Sequence, residues 1–294
     1  MTTIAFIGLG NMGNPMAANL VRAGHIVQGV DLMPENRVLA KEAGVVVADD
    51  GPTAVANADI VMTMLPAGKH VLSVYAEVAP WAAKGTLFID SWTIDVASAR
   101  RAHDIAAENG HMSIDAPVSG GTGGAAAGTL TFMAGGSPEA FSRAEPILKA
   151  MGGRIVHCGE AGAGQAAKIC NNMILGISMI GVAEAFALAE KLGLSHQALF
   201  DVASTSSGQC WSLTTYCPVP GPVPGSPANR DYAPGFAASL MLKDLDLAQQ
   251  AAQNAGATTP LGAQAAQLYR LFNAEGHGGM DFSGIIRMLR GQTS

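Results

Sequence analysis

Residues Thr3–Ile7 (TIAFI) form a short apolar, β-rich run that leads directly into Gly8-Leu9-Gly10-Asn11-Met12-Gly13. The following NPMAANLVRAG places Met16, Leu20 and Val21 at helical spacing, with Gly24 as terminator. Residues Ile26–Val30 read as a second strand ending at Asp31. Strand, G-x-G-x-x-G, helix, strand and an acid about 20 residues on is the opening of a dinucleotide-binding sheet, and few other folds satisfy that order. Gly8 permits the tight turn, Gly10 lets the backbone approach a pyrophosphate, and Gly13 brings helix and strand together. The helix entrance offers unsatisfied N–H groups and a positive dipole end to that pyrophosphate. Gly8, Gly10, Asn11, Met12 and Gly13 are therefore the candidate cofactor contacts. Asp31 would accept hydrogen bonds from a ribose 2′-OH and repel a 2′-phosphate, so NAD is expected over NADP. Arg37, the nearest cation, sits well past the strand end.

Further on, Ile60–Leu65 (IVMTML) and Thr86–Asp90 (TLFID) are short apolar runs separated by helical stretches, the alternation of a doubly wound parallel sheet. Ligands bind at the carboxyl ends of such strands. Leu65-Pro66 and Asp90-Ser91-Trp92-Thr93 lie there, as ligand contacts or as ordinary capped turns. Val118-Ser119-Gly120-Gly121-Thr122-Gly123-Gly124 exposes backbone N–H groups able to hold a small anion such as a carboxylate, unless it is only a hinge. Arg154–His157 is the last expected strand.

The stretch Gly164–Leu192 is wholly free of proline and almost free of charge, long enough for a helix of roughly 40 Å. Such a helix is either a membrane span or the buried spine of a larger assembly. Lys168, Asn171, Asn172, Glu184 and Glu190 interrupt it, and no aromatic belts or basic flanks surround it, which favours a soluble spine. Lys168 and Asn172 are four apart and share one face, a candidate site. The domains expected are 1–163, an α/β Rossmann-like NAD-binding domain, and 164–294, an all-α domain carrying substrate site and oligomer contacts, joined by this helix. Helices are expected at Ser195–Ala203, Ala238–Ala255, Leu261–Ala274 and Asp281–Arg290. Between the first two, six prolines exclude regular structure from Cys210–Phe236, and a long ordered loop of this kind is often functional. Lys243-Asp244 follows it, early in a helix, as site residues or a solvated pair.

Charged residues make up 14% and hydrophobic ones 49%, which excludes a disordered chain. A net charge of −6 without a basic cluster removes the footprint of nucleic-acid binding. The four cysteines have no metal-ligand rhythm and the histidines no pairing, so no metal is expected and the thiols read as reduced, in the cytoplasm. The first strand begins too early to leave room for a leader peptide.

The motifs GLGNMGNPMAANL (8–20), DAPVSGGTGGAAAGTLTFMAGG (115–136), GAGQAAKICNNM (162–173), SSGQCWSLTTYCPVPG (206–221) and LMLKDLDLA (240–248) together resemble the β-hydroxyacid dehydrogenase family over essentially the whole chain. Cys210-Trp211-Ser212 with the following Pro-Val-Pro-Gly is most similar to the branch that acts on 3-hydroxyisobutyrate. The resemblance implies a Rossmann-like half and an all-helical half with the active site between them. It also implies NAD-dependent oxidation of 3-hydroxyisobutyrate to methylmalonate semialdehyde, a step of valine catabolism, by a homodimer or homotetramer. The alternative is a tartronate or succinate semialdehyde reductase using NADP(H). By resemblance Lys168 is the catalytic residue; Ser119, Gly120 and Gly121 bind the substrate carboxylate, with Asn172 near the substrate. Lys243 would lie close to cofactor and substrate, Phe236 close to the nicotinamide, and Thr93 on its other flank. Trp211 would offer apolar contact to a methyl branch. The family commonly carries two serines before this threonine; here the second position is Trp92.

Overall fold

The computed structural model describes residues 1–291, which divide into two compact units, Met1–Lys168 and the chain from Ile169 onward. The dividing point falls inside one continuous helix.

The first unit is built on strands β1 (Thr3–Ile7), β2 (Ile26–Val30), β3 (Val46–Val47), β4 (Ile60–Thr63), β5 (Leu87–Asp90), β6 (Met112–Asp115), β7 (Val118–Ser119), β8 (Leu130–Gly135) and β9 (Gly152–Gly159). Its sheet runs β3-β2-β1-β4-β5-β6 in parallel. At Asp115↔Gly135 the direction reverses, and β8 joins antiparallel, with β7 and β9 paired to it. The parallel order is the doubly wound one, with its switch point between β1 and β4, where the carboxyl ends of the strands open a crevice. Because both faces are covered, β1 is apolar throughout rather than alternating. Phe6 packs on one side with Met16, Ala17 and Leu20 of α1 (Gly13–Arg22). Ala5 and Ile7 point to the other side, where Phe88 meets Val71 and Tyr75. The other helices of this unit are α2 (Pro34–Glu42), α3 (Gly51–Val55), α4 (Gly68–Val78), α5 (Val96–Glu108), α6 (Gly121–Ala127) and α7 (Pro138–Leu148).

The long helix α8 (Ala163–Lys191) starts in the first unit and continues into the second, where it is followed by α9 (His196–Ala203), α10 (Trp211–Thr214), α11 (Ala238–Ala255), α12 (Pro260–Phe272) and α13 (Ile285–Leu289). Its buried positions in the second unit, Ile169, Asn172, Gly176, Met179, Ile180, Ala183, Phe186 and Ala189, recur mostly every three or four residues and form one stripe. Within this chain the spine is therefore covered on one face only. Ile174 is 66% and Leu188 60% exposed, and only 39% of the most apolar window is buried. The reason is that α11 and the helices beside it can cover only one face of a rod. The helix is long and apolar enough to cross a membrane by length and composition alone.

Two expectations are corrected. Asp281–Arg290 is not one regular helix: Asp281 caps a 3-10 turn, Phe282–Gly284, its carboxylate accepting from Ser283 N, and α13 begins only at Ile285. The segment Cys210–Phe236 is not wholly irregular. α10 forms ahead of the first proline, and Pro227 opens a 3-10 turn, where its missing N–H would have been unbonded in any case.

Candidate active site

In the first unit the glycine loop joins β1 to α1. Gly8 has φ +99°, and its N–H bonds Val30 O at 2.9 Å. A Cβ on Gly13 would sit 1.9 Å from Gly8 O, so helix and turn touch backbone to backbone. Over Gly10, by contrast, nothing lies within 4 Å of where a Cβ would be, and a cleft of about 340 Å³ is lined there by Leu9, Gly10, Asn11, Asn14, Asn36 and Leu39 among others. A loop sealed below and open above, at the start of a ten-residue helix, fits a dinucleotide pyrophosphate. Met12 is half-buried and Pro66 exposed, while the Leu65 side chain lies close beside Gly8.

Asp31 sits at the end of β2, and its Oδ2 accepts from Leu9 N at 2.6 Å, which ties the glycine loop to the acid. Oδ1 accepts from Met33 N at 2.8 Å and Asn36 Nδ2 at 3.1 Å. Of about four lone-pair sites on the carboxylate, three are taken. Asn36 was not singled out in the sequence; it arrives from α2 with no motif spacing to mark it. Arg37 reaches the Asp31 main-chain carbonyl, not its carboxylate.

Past β5 and β6 the polar groups are buried. Asp90 accepts from Thr63 Oγ1 at 2.8 Å, and Thr93 is 8% exposed. Asp115, 2% exposed, receives the first turn of α8: Gly162 N at 2.8 Å on Oδ1 and Gln165 N at 2.9 Å on Oδ2. His103 Nε2 lies 3.0 Å from the same carboxylate, and Ser113 Oγ lies 2.7 Å from His103 Nδ1. A Cβ on Gly164 would fall 2.3 Å from Met133 O, so this turn is seated directly on the sheet. Lys168, 6% exposed, follows one turn later. Ser119 pairs with Thr131 on β8, and Gly120 and Gly121 take φ +133° and +60° ahead of α6.

The second unit contains the other candidates. Asn172 Nδ2 donates to Asp244 Oδ2 at 2.5 Å, and Asn171 Nδ2 lies 3.0 Å from Asn172 Oδ1. Lys243 Nζ is 3.0 Å from Asp244 Oδ1. Asp244, 2% exposed, thus orients both residues. The sequence marked it only as a neighbour of Lys243, since its burial depends on how α11 packs. Trp211 stacks on Tyr216 at 4.9 Å, Tyr216 on Phe282 at 5.3 Å, and Phe236 meets Phe282 edge-on at 5.7 Å. Under these rings lies Asp281, 0% exposed. Its Oδ2 takes Tyr216 OH, Gly235 N and Phe236 N, and its Oδ1 takes Ser283 N and Oγ. Burial, together with the adjacent Asp281 carboxylate, pushes the Tyr216 hydroxyl well above its ordinary range. Among the described residues, no group of three His, Cys, Asp or Glu side chains could hold a metal.

Two family descriptions match the chain: the NAD-binding domain of 6-phosphogluconate dehydrogenase over residues 3–159, and the NAD-binding domain of NADP-dependent 3-hydroxyisobutyrate dehydrogenase over 162–289. The solved Mycobacterium tuberculosis 3-hydroxyisobutyrate dehydrogenase with L-serine is 56% identical and covers 99% of both chains with a TM-score of 0.97. The chain belongs to the 3-hydroxyisobutyrate dehydrogenase family. A Pseudomonas aeruginosa member of the family is 50% identical over 99% of this chain and 100% of its own. The NAD-dependent L-serine dehydrogenase of that organism is 48% identical over 98% of each. Like the family, the chain is an NAD-binding oxidoreductase with a Rossmann-like half and a helical half.

Proposed function

We propose that the protein oxidises 3-hydroxyisobutyrate to methylmalonate semialdehyde with NAD, the valine-breakdown reaction, and that Lys168 is its catalytic residue. The reading is carried by full-length identity to the named dehydrogenases together with a buried lysine on the first turns of α8. When bound, the nicotinamide supplies the hydride acceptor, and the rest of the chemistry belongs to the chain. As the C–H hydride leaves and the C=O bond forms, the hydroxyl proton goes to Lys168 Nζ, or Lys168 as a cation stabilises the developing alkoxide. Gly8, Gly10, Asn11, Met12, Gly13 and Asp31 hold the dinucleotide, with Leu65, Pro66, Thr93, Phe236 and Lys243 as further contacts. The Asp31 carboxylate opposes a 2′-phosphate, which favours NAD over NADP. Ser119, Gly120 and Gly121 bind the substrate carboxylate, and Asn172, Trp211 and Lys243 also contact the substrate.

L-Serine is a second reading, favoured by two relatives described with that amino acid. It shares the β-hydroxy acid skeleton and exchanges the methyl branch for an ammonium. The aromatic group around Trp211 and Phe236 favours the methyl. The exposed apolar stripe of α8, with Ile174 and Leu188, supports a homodimer or homotetramer in the cytoplasm, and light scattering would give its mass.

The test is the initial rate of NADH formation with (S)-3-hydroxyisobutyrate and with L-serine, each with NAD and with NADP, for wild type and Lys168→Ala. Expected are NAD preference, higher kcat/KM for the hydroxyisobutyrate, and a loss of about 10²–10⁴ in kcat for the variant with NADH binding retained. Unchanged turnover in Lys168→Ala would sink the catalytic assignment, and a faster L-serine reaction would replace the substrate.

A further inference from the structure

Gln165 is 0% exposed and lies three residues before Lys168 in α8, so the two share a face of the helix. Its amide is used at both ends by one short segment of chain. Ile94 N donates to Oε1 at 3.0 Å, and Nε2 donates to Trp92 O at 2.7 Å. The two backbone groups flank Thr93. Gln165's own N–H is held by Asp115 Oδ2 at 2.9 Å. One side chain therefore ties the segment after β5 to the helix turn that carries Lys168, and the helix turn in turn to β6.

We propose that Gln165 is a positioning residue for the dehydrogenase reaction, one that sets the turn bearing Lys168 in register with the Trp92–Thr93–Ile94 segment. The inference rests on Lys168 acting as the catalytic residue. A side-chain amide suits this task because it offers one acceptor and two donors in a plane, and here it meets a backbone N–H and a backbone carbonyl. An apolar residue of the same size would leave both backbone groups buried without a partner. Gln165 engages main-chain atoms of residues 92 and 94, while the Trp92 side chain packs against both apolar clusters of the first unit. A misplacement of about 1 Å, even from a residue away from the reacting atoms, can cost 10²-fold in rate.

The experiment compares Gln165→Leu, Gln165→Glu, Lys168→Ala and wild type in the full chain, with kcat at saturating NAD and substrate, the NADH dissociation constant by nicotinamide fluorescence, and thermal melting. Gln165→Leu is expected to lose at least about tenfold in kcat with the NADH constant within about twofold of wild type. Gln165→Glu supplies the pH readout. Protonated, the acid donates to Trp92 O and accepts from Ile94 N as the amide does; ionised, it repels that carbonyl. The charged groups around it are Asp115 from β6, His103 and Arg100 from α5, and Lys168 on its own helix. The nearby Asp115 carboxylate disfavours a second negative charge and raises the acid's titration toward neutral pH. The ratio of Gln165→Glu to wild-type kcat should therefore climb as pH falls. A purely structural role would lower the melting temperature and leave saturating kcat alone. Gln165→Leu with kcat within twofold of wild type overturns the proposal, as does a Gln165→Glu ratio that is flat with pH at any level. If Gln165→Leu does not fold, Gln165→Glu decides. Retained activity in Lys168→Ala would mark failure of the catalytic assignment instead.

Discussion

Each unit has a buried carboxylate that gathers backbone N–H groups, Asp115 in the first and Asp281 in the second, and the two are used differently. Asp115 stands at the end of β6, in line with five other parallel strands, and holds the first turn of α8. Asp281 stands in a half with no sheet among its described residues, where it accepts five hydrogen bonds from three stretches of chain. In the first unit the parallel sheet already places the strand ends in a row, and the acid needs only to seat one helix. The proline-rich loop of the second unit has no ladder to pair with, so a single side chain must gather its backbone. A hub of this kind matters more to stability the less regular its surroundings are.

The comparison can be broken by mutation. Asp281→Ala strands Gly235 N, Phe236 N, Ser283 N and the Tyr216 hydroxyl, and should cost about 4 kcal/mol by denaturant unfolding. Asp115→Ala strands Gly162 N and Gln165 N and should cost about 3 kcal/mol. A larger loss at Asp115 than at Asp281 would reverse the ranking and the argument with it. Tyr216→Phe removes one of five donors and keeps the ring stack on Trp211, so about 1 kcal/mol is expected. A loss as large as that of Asp281→Ala would make the hydroxyl, not the carboxylate, the organiser.

The smallest effect is pH-linked. The Tyr216 hydroxyl titrates well above its ordinary value of 10.0 in the folded chain. Its contribution to stability is complete below that ordinary value and is lost as pH rises beyond it, since only the unfolded chain then releases the proton. Melting temperature should fall above pH ~10 less steeply in Tyr216→Phe than in wild type. Equal slopes would remove Tyr216 as a source of alkaline lability.

Asp31 and the glycines were readable because their role is local: a tight turn, a helix start and a strand end within one βαβ unit. Lys168 and Asn172 stood out as polar residues sharing one face of an apolar helix. Asn36, Gln165, Asp244 and Asp281 were not readable in that way. Gln165 looks like any polar residue on a first helical turn until β5 is known to end beside it. Asp281 looked like the start of a helix and does cap one, but nothing local shows that its carboxylate also gathers Tyr216, Gly235 and Phe236.

The sequence by itself determined the βαβ opening with its dinucleotide signature, the long apolar helix and the proline-rich interruption, because periodicity, turn chemistry and motif spacing act over a few residues; the reaction class came from the family resemblance of its motifs. Tertiary structure alone decided which face of α8 is covered, and which buried acids and amide hold the loops. Those depend on groups up to 73 residues apart, as Gln165 and Trp92 are, and a hydrogen bond across that separation leaves no local pattern in the chain.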